Sequence, residues 1–464
     1  MEASDDASTM RLIVGRGAAY IAARLTRWSG RGGGTTLPGR VLLAIAPGAI
    51  RTLGKQLPER CAIVSATNGK TTTSAMAATI LADRYRLAHN RTGANLASGI
   101  ASTLVATWQA ELGLFEVDEA ALPRLSEELA PRALVLGNLF RDQLDRYGEL
   151  ETIADNWRGA MSALPSDCVI AANADDARIV HVVGERDETL TFGIDDPSVA
   201  TGDPGHASDA RTCFVCAELL VYESAYVGHL GDWHCSKCAS RRPPLAVYAR
   251  DIRPRGLEGT TFELVMPGGA FEVELDLPGL YNVYNALAAA SLAHILGIDP
   301  STIAAAVARF RPAFGRVERI EIGDRRALLL LAKNPAGANE VVRTVSGNGR
   351  LPVIVIALND DIADGRDVSW IWDVDFERLM PHAERIIASG SRAEELALRF
   401  KYGGYDTKRI EVTHDLEEAL DRGLELTPSG AEMTIIPTYT AMIGLQRILT
   451  DRGLVKPYWD REPG

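Results

Sequence analysis

The chain has 464 residues, of which 46% are hydrophobic and 24% are charged, and its formal net charge is -12. This length exceeds what one hydrophobic core usually organises, so two or three globular domains are expected. The acidic balance argues against nucleic acid as a partner. It also argues against broad adhesion to anionic lipid, which leaves at most peripheral contact with a membrane.

The N-terminal segment, residues 1–55, is predicted to be helical and is divided by a glycine-rich stretch at residues 30–34. Its acidic start and its arginines at positions 16 and 24, without a clean cleavage site, argue against a signal peptide. No uncharged run reaches the roughly 18 residues that a membrane span needs. Residues 11–28 predict an amphipathic helix, for which packing against the protein is favoured over a membrane-surface role. We therefore expect a cytoplasmic protein.

A candidate phosphate-binding loop follows, where an apolar run at residues 61–64 leads into Thr-Asn-Gly-Lys-Thr-Thr at residues 67–72. A strand, a small polar turn and a helix start predict free N–H groups and a positive helix end that face an anion. Lys70 would reach the β- and γ-phosphates of a nucleotide, and Thr71 would offer its hydroxyl to Mg²⁺. Val64 stands where the usual loop has a glycine, so an ordinary strand-to-helix turn is the alternative.

Further buried-type strands with acidic residues at or after their ends are predicted within residues 114–120, at residues 132–138 and within residues 169–176. Strands that alternate with helices in this way predict an α/β fold with a doubly wound parallel sheet. Glu116, at the end of the first of these strands, is the candidate ligand for Mg²⁺. The alternative is that these acids are only solvated.

Two Cys-x-x-Cys pairs, 18 residues apart, account for four of the six cysteines. This is the spacing of a zinc ribbon, in which four thiolates hold one structural Zn²⁺. The candidate ligands are Cys213, Cys216, Cys235 and Cys238. A redox dithiol is the alternative. His229 and His234 lie nearby and are expected at the surface, because four thiolates already complete a tetrahedron.

Two later stretches attract attention. Residues 277–290 are predicted to form a turn that leads into an alanine-rich helix. Asn282 and Asn285 would present amides to a ligand there, or Asn282 would simply cap the helix.

Residues 357–377 contain seven acids and two tryptophans. Tryptophans interleaved with acids in this way suggest a surface for a partner or a substrate.

The phosphate loop, Asn-Ala-Asp-Asp at residues 173–176 and Asn-Pro at residues 334–335 resemble motifs of the Mur ligase family, which activates carboxylates with ATP. The resemblance implies that ATP is bound through residues of the loop, of the alanine-rich helix and of a Gly-Arg linker. These residues are Thr67, Asn68, Gly69, Lys70, Thr71, Thr72, Asn282, Asn285 and Arg316. Asn282 and Asn285 would contact adenine, and Arg316 would contact phosphate.

Three positions depart from the Mur pattern. Gln143 replaces a histidine near Mg²⁺, Trp157 replaces the lysine that serves a second Mg²⁺, and Leu330 replaces an aspartate that holds ribose. An amide binds Mg²⁺ weakly and an indole does not bind it. The second metal site is therefore left open.

With the cysteine pairs, Leu-Ala-Lys-Asn-Pro-Ala-Gly at residues 331–337 and the acidic stretch, the resemblance narrows to the MurT family over residues 11–442. It implies a Mur ligase-like central doubly wound ATPase domain at residues 56–312, with the zinc ribbon inserted at about 205–245. A smaller α/β C-terminal domain would follow at residues 313–464.

The MurT resemblance implies the synthetase subunit of a glutamine amidotransferase of peptidoglycan biosynthesis, working at the inner face of the membrane. ATP would activate the α-carboxylate of D-glutamate in the lipid II stem peptide as an acyl phosphate. Ammonia from a glutaminase subunit, GatD, would then convert it to D-isoglutamine. Neither Cys61 nor Cys168 has a histidine or an elbow beside it, so the chain has no convincing glutaminase site of its own and a second subunit is expected.

The resemblance assigns Asp367 to orient the glutaminase histidine across the subunit interface. Spacing alone does not separate Asp367 from Asp360, Asp361 or Asp364. Two further functions are weighed: a standalone Mur-type ligase that adds an amino acid, and a non-catalytic scaffold that binds nucleotide. The three departures and the zinc insertion weigh against the former, while the same lost ligands make the latter plausible.

Overall fold

The computed structural model describes residues 2–28, 36–90, 93–142, 150–202, 204, 208–311, 317–347 and 349–456. Two residues that the sequence analysis singled out, Gln143 and Arg316, lie outside these ranges.

The described part of the chain alternates strands and helices. The strands are β1 (Cys61–Ser65), β2 (Leu87–His89), β3 (Leu112–Glu116), β4 (Ala133–Leu136), β5 (Val169–Asn173), β6 (Thr189–Ile194), β7 (Leu220–Val227), β8 (Leu230–Cys235), β9 (Val247–Pro254), β10 (Thr260–Met266), β11 (Gly269–Leu275), β12 (Val317–Ile322), β13 (Arg325–Leu330), β14 (Leu351–Ala357), β15 (Ala383–Ser389), β16 (Ile410–Thr413) and β17 (Glu432–Pro437). The helices are α1 (Glu2–Trp28), α2 (Leu37–Ile45), α3 (Ala49–Gly54), α4 (Lys70–Leu81), α5 (Ala97–Ala106), α6 (Leu122–Leu129), α7 (Leu150–Ala163), α8 (Ala177–Val183), α9 (Leu280–Ile295), α10 (Pro300–Arg309), α11 (Pro335–Ser346), α12 (Ala393–Tyr402), α13 (Leu416–Leu426) and α14 (Tyr439–Asp451).

The larger sheet has nine strands in the order β11-β10-β9-β6-β5-β4-β1-β3-β2. Within this sheet, β2, β3, β1, β4, β5, β6 and β9 are parallel to one another. Strands β10 and β11 extend the sheet beyond β9 as an antiparallel meander. All residues of β1, β3 and β4 are buried, because helices cover both faces of the sheet. The predicted doubly wound parallel sheet is confirmed.

The position of β1 explains where a site is expected. It lies between β3 and β4, so the chain leaves β1 toward one side of the sheet and returns on the other side at β4. Open parallel sheets bind ligands at such a reversal, outside the carboxyl ends of the strands. The predicted phosphate loop is the segment that leaves the carboxyl end of β1.

The N-terminal helices pack onto this sheet. Leu42 of α2 and Ile50 of α3 belong to the same buried cluster as Ile63 of β1. Helix α2 approaches α5 closely: the N–H of Gly39 donates to Ser102 Oγ at 2.7 Å, and a Cβ on Gly39 would lie 1.8 Å from the carbonyl oxygen of Ser98. The domain boundary predicted near residue 55 falls just after α3 and remains a prediction.

The C-terminal sheet has six strands in the order β12-β13-β17-β14-β15-β16. The pair β12 and β13 is antiparallel, and the other neighbouring strands are parallel. Buried apolar clusters lie on both faces of this sheet, under α11 and α12 on one face and under α13 and α14 on the other. The smaller α/β unit that the sequence predicts is therefore present.

The third sheet is the hairpin of β7 and β8. In the sequence it follows β6 and precedes β9, two strands that are neighbours in the large sheet. Trp233 of β8 donates its indole N–H to the carbonyl oxygen of Ala174 at 3.0 Å, which ties the hairpin to the end of β5. In the described part of the chain, no helix combines the length and the apolar character needed to cross a bilayer.

Candidate functional site

The loop between β1 and α4 has the shape expected of a phosphate loop. Gly69 precedes the first residue of α4 and has φ of 84°, a left-handed conformation that glycine adopts without strain. A Cβ at this position would lie 1.9 Å from Asn285 Oδ1 of α9. Both the backbone conformation and the close approach of α9 therefore require glycine here.

The residues after β4 hold the loop in place. Asn138 accepts from the N–H of Asn68 at 2.9 Å through Oδ1, and its amide donates back to the Asn68 carbonyl oxygen at 3.1 Å. The Thr67 hydroxyl accepts from the N–H of Phe140 at 3.1 Å. Thr67 thus faces the sheet and shapes the loop, while Asn68, Gly69, Thr71 and Thr72 line a cleft.

Lys70 forms a buried ion pair with Glu119, in which Nζ lies 2.6 Å from Oε2. Its ammonium also donates to the carbonyl oxygens of Ala66 and Thr67, within its own loop. Burial lowers the pKa of Lys70, but Glu119, Glu116 and Asp118 outweigh this effect, so the pKa lies above its ordinary value. Burial likewise raises the pKa of Glu119, yet Lys70 and Lys333 bring it below its ordinary value. Both members of the pair are therefore charged at neutral pH.

Glu116 ends β3 inside this cluster of acids. It is buried, and Asn95 donates to its Oε1 at 3.4 Å. Asn90 brackets the same residue through the backbone, accepting from the Glu116 N–H at 2.9 Å and donating to its carbonyl oxygen at 2.8 Å. A carboxylate beside a phosphate loop is the type of protein ligand that Mg²⁺ prefers. Sequence reasoning found Glu116 but not Glu119, although both belong to the same acidic run.

Trp157 has a supporting position. Its side chain is fully buried in α7, and its indole N–H donates to the carbonyl oxygen of Glu119 at 2.8 Å. An indole offers no metal ligand, but this bond holds the turn that carries Glu119. Spacing along the sequence did not indicate this contact.

The acids at residues 175 and 176 are structural and not solvated. Asp176 caps α8 by accepting from the N–H groups of Arg178 and Ile179, and it accepts from Leu139 as well. Asp175 accepts from Tyr284 at 2.6 Å and lies 3.1 Å from Arg242. Burial outweighs these partners and raises the pKa of Asp175 to about 6.

A cleft lies between the phosphate loop, α9 and the C-terminal unit, which lines it with the segment after β13 and with α11. Asn282 and Asn285 line it from α9, where Asn285 donates to Asn282 Oδ1 at 3.1 Å and accepts from the Thr73 hydroxyl at 3.2 Å. The residue that caps α9 is Gly279, so the alternative of Asn282 as helix cap is wrong.

The C-terminal unit contributes the opposite wall. Asn334 caps α11 and donates to Asn68 Oδ1 at 2.8 Å, which joins the phosphate loop to the far side of the cleft. Lys333 lines the cleft and pairs with Asp142. Leu330 is buried in an apolar cluster and offers no oxygen. Glu340, which sequence reasoning missed, lines the cleft, and burial raises its pKa despite the neighbouring Arg343.

The tip of the inserted hairpin reaches the same cleft through Val227 and Leu230. Behind the tip, His229 is fully buried, with its ring centroid 4.4 Å from that of Phe140 and its Nε2 3.3 Å from Asp176. The expected surface position of His229 is therefore wrong. The hairpin is part of the cleft wall.

At the other end of the hairpin the four predicted cysteine ligands converge. Their sulfur atoms all lie within 4.8 Å of one another, with Cys213 and Cys238 at 3.6 Å and Cys216 and Cys235 at 3.5 Å. Tetrahedral Zn²⁺ with bonds of about 2.3 Å spaces its sulfur ligands by roughly 3.8 Å. None of the four forms a disulfide. The donor set and its spacing fit a zinc ion.

The carboxylates of the acidic stretch at residues 357–377 differ in their surroundings: some are held by other side chains of the C-terminal unit, and Asp367 is exposed. Asp364 is buried and bound to Thr440, and Asp360 pairs with Arg392. Asp367 is exposed and accepts from the N–H of Ser369 at 2.9 Å. Hydrogen bonds from the side chain and then the backbone of Ser369 lower the pKa of Asp367. Asp367 lines a second cavity that shares Lys333 with the cleft.

Comparison with known proteins matches both units. Residues 64–228 match the Mur ligase middle domain, and residues 331–442 match the MurT ligase C-terminal domain. The chain is 32% identical over 455 residues to the MurT subunit of lipid II isoglutaminyl synthase from Streptococcus pneumoniae, covering 97% of this chain and 98% of that protein. The chain belongs to the MurT family. The family assignment made from the sequence is confirmed, and membership places the chain among ATP-dependent ligases.

Other relatives agree with this assignment. The MurT subunit from Staphylococcus aureus is 31% identical over 431 residues, which is 91% of this chain and 94% of that protein. Among solved structures, a pseudomurein peptide ligase type C from Methanothermus fervidus superposes with a TM-score of 0.67 at 22% identity, over 86% of this chain and 80% of that one. This last likeness shows the Mur ligase-like fold. Within this MurT chain, the matched C-terminal segment carries Lys333 and Asp367.

Proposed function

We propose that the chain is the synthetase subunit of a lipid II isoglutaminyl synthase. ATP activates the α-carboxylate of D-glutamate in the stem peptide as an acyl phosphate, and ammonia from a glutaminase subunit of the GatD type converts it to D-isoglutamine. The observation that carries the proposal is the adjacency of two cavities. The cleft beside the phosphate loop and the cavity that contains Asp367 share Lys333 as a wall.

The triphosphate would bind to the loop at Thr67 to Thr72 and the start of α4. Glu119 and the carbonyl oxygens of Ala66 and Thr67 hold the Lys70 ammonium inside the loop, from where it would contact a bound phosphate. Thr71 and Glu116 would hold Mg²⁺, which when bound neutralises charge on the phosphates. The buried Glu119 keeps Lys70 protonated, which preserves the positive charge that phosphoryl transfer needs.

The nucleoside would occupy the part of the cleft next to α9. Asn282 and Asn285 present amides there, and Val227 and Leu230 provide apolar surface for a base. Leu330 has no carboxylate that could bind ribose. Among the described residues, Glu340 is the acid that lines this cleft, so we assign Glu340 to the ribose end of the nucleotide.

The chemistry follows from the poor reactivity of a carboxylate toward ammonia. A carboxylate oxygen attacks the γ-phosphorus of ATP, ADP leaves, and the new acyl phosphate carries a good leaving group. Ammonia then attacks the carbonyl carbon, the C–O bond to phosphate breaks, and the proton lost from nitrogen leaves with the phosphate as hydrogen phosphate. Lys333, between the two cavities, would stabilise the negative charge that develops on the carboxyl group during both steps.

Zn²⁺ would be held by Cys213, Cys216, Cys235 and Cys238. With four thiolates its coordination is complete, so its contribution is structural. The cysteines close the base of a hairpin whose tip lines the cleft. The metal would therefore support nucleotide binding from a distance.

Phosphate release from ATP, measured with lipid II and an ammonium salt, tests the proposal. Ammonium bypasses the glutaminase, so release that requires intact Lys70 and accompanies loss of one carboxylate from the stem peptide supports the synthetase function. Lys70→Ala is the negative control, because the variant lacks the charge that faces the phosphates. Product formed with an amino acid in place of ammonium would indicate a standalone ligase, and nucleotide binding without any turnover would indicate a scaffold.

A further inference from the structure

Most large apolar side chains in the described part of helix α1 lie on its outer face, whereas Leu12 packs against the core on the inner face. Six of them keep between 56% and 69% of their surface exposed. They are Met10, Ile13, Val14, Tyr20, Ile21 and Leu25. The inner face has smaller residues, because Gly15 and Ala19 are buried and a Cβ on Gly15 would already lie 3.0 Å from Leu42 of α2.

The six side chains form one stripe, here called the outer stripe of α1. Their spacings of three, four and seven residues place them on one side of a helix. Gly17 lies within the stripe, and nothing lies within 4 Å of its Cβ position. An ordinary surface helix has the opposite arrangement, with apolar residues inside and polar residues outside. The stripe is thus not needed to hold α1 on the protein.

The charges around the outer stripe select the kind of surface that would cover it. Residues 7–28 contain four arginines and no acid, although the whole chain has a net charge of -12. Arg11 and Arg16 border the stripe on opposite sides, and Arg24 lies within it, stacked 5.8 Å from the ring centre of Tyr20. A second copy of this face would bring arginines together. An apolar face with arginine borders is complementary to anionic lipid.

We propose that α1 lies along the surface of an anionic bilayer, with the outer stripe buried at the boundary between headgroups and acyl chains and the arginines at the level of the phosphates. Helix α1 rests on α2, and α2 contacts the first turn of α5 beside Asn95 and the buried Glu116. A membrane bound at α1 is thereby linked to the metal side of the phosphate loop. Lipid binding by α1 does not depend on the proposed reaction.

Vesicle flotation of the full chain, alone and with its glutaminase subunit, tests this proposal. We expect flotation with vesicles of phosphatidylcholine and phosphatidylglycerol, and weaker flotation with phosphatidylcholine alone. Ile13→Ser combined with Ile21→Ser should lower the affinity at least about tenfold, because two apolar side chains that the bilayer would bury are lost. The matched control is Leu398→Ser combined with Val412→Ser, two exposed apolar residues of the C-terminal unit, and it should float like the wild type.

The electrostatic part has its own variant. Arg11→Gln combined with Arg24→Gln should weaken binding to the anionic vesicles by roughly tenfold or more, and leave binding to phosphatidylcholine unchanged. Thermal unfolding and turnover of detergent-dispersed substrate should stay at wild-type levels in all these variants, which separates failure of this proposal from failure of the proposed reaction. Wild-type protein that does not float, or an isoleucine variant that floats equally well, overturns the proposal. A different result also overturns it: wild-type protein that binds no vesicles, together with an isoleucine double variant that no longer dimerises or no longer binds the glutaminase subunit. The outer stripe would then be a protein interface.

Discussion

Lys70 of the phosphate loop and Glu119 of the turn after β3 form an ion pair of 2.6 Å in which both side chains are more than 90% buried. Because both side chains are buried, water cannot solvate either charge if the other partner is lost. If Lys70 binds a nucleotide phosphate, as proposed, the pair links the stability of the free protein to the charge that meets the nucleotide.

Glu119→Gln leaves the Lys70 ammonium buried without its counter-ion. Loss of one partner of a buried pair costs about 3–5 kcal/mol, so the free variant should unfold at lower temperature than the wild type. The phosphates of ATP would replace the lost charge, so we expect ATP to raise the unfolding temperature more in this variant than in the wild type. Differential scanning calorimetry with and without Mg-ATP measures both effects.

The control for this variant is Glu127→Gln, which removes an exposed pair with Arg51. Exposed pairs contribute about 0–1 kcal/mol, so its unfolding temperature should barely change. Equal ATP shifts in Glu119→Gln and wild type would contradict the assignment of Lys70 to the phosphates.

Gly69→Ala should impair nucleotide binding. The left-handed conformation costs a non-glycine residue about 1–3 kcal/mol, and the new Cβ would overlap Asn285 Oδ1. We expect the dissociation constant for ATP, measured by calorimetric titration, to rise at least about tenfold. Gly159→Ala is the matched control, because Gly159 lies within α7 with nothing near its Cβ position. Unchanged affinity in Gly69→Ala would show that the nucleotide binds elsewhere.

Removal of Zn²⁺ should weaken ATP binding without touching the phosphate loop. Cys235→Ser breaks the cluster that closes the base of the hairpin, and Val227 and Leu230 at its tip would lose their positions in the cleft. Elemental analysis should find about one zinc per wild-type chain and loss of the metal in this variant. Cys168→Ala, which changes a buried cysteine outside the cluster, should keep the metal. An ATP affinity that is independent of metal content would restrict the ribbon to a role in stability.

The carboxyl group of Asp175 should make stability depend on pH. Its pKa of about 6 in the folded chain lies above the value of about 3.9 in an unfolded chain. Between these values the folded state holds a proton that the unfolded state has released, so the free energy of unfolding falls as pH rises from about 4 to 6. A shift of this size corresponds to about 3 kcal/mol.

Urea unfolding of wild type and Asp175→Asn over this pH range measures the effect. The variant cannot titrate at this position, so its stability relative to the wild type should improve as pH rises. Asp195→Asn, at a more exposed partner of the same Arg242, should follow the wild-type slope. Parallel curves for wild type and Asp175→Asn would show that Asp175 ionises normally.

Asp367→Asn should separate the two half-reactions. If Asp367 orients the glutaminase histidine, glutamine-dependent amidation should fall by about a hundredfold or more, because an amide cannot hold the required tautomer. Amidation with ammonium should remain, since the phosphate loop is intact. Asp361→Asn, at an exposed acid of the same stretch, is the control. Equal loss with glutamine and with ammonium would instead place Asp367 in the synthetase chemistry.

Local patterns in the sequence determined the α/β class, the strand, turn and helix start that form the candidate phosphate loop, and the cysteine cluster. Each of these depends on residues that are close in sequence, such as the run from residue 61 to Thr72 or the pairs at Cys213 and Cys235. Propensity, turn chemistry and ligand spacing act over such short distances, so they can be read without the fold. The family motifs added the likeness to MurT proteins.

Only the tertiary structure decided which distant groups meet. Glu119 was one of several similar acids until the carboxyl ends of β1 and β3 placed it against Lys70. His229 looked like a surface residue until the hairpin folded onto Phe140. Helix α1 looked like an ordinary packed helix until α2 covered its small face and left the large one outside. Burial and long-range contact set these outcomes, and neither is encoded in the spacing of neighbouring residues.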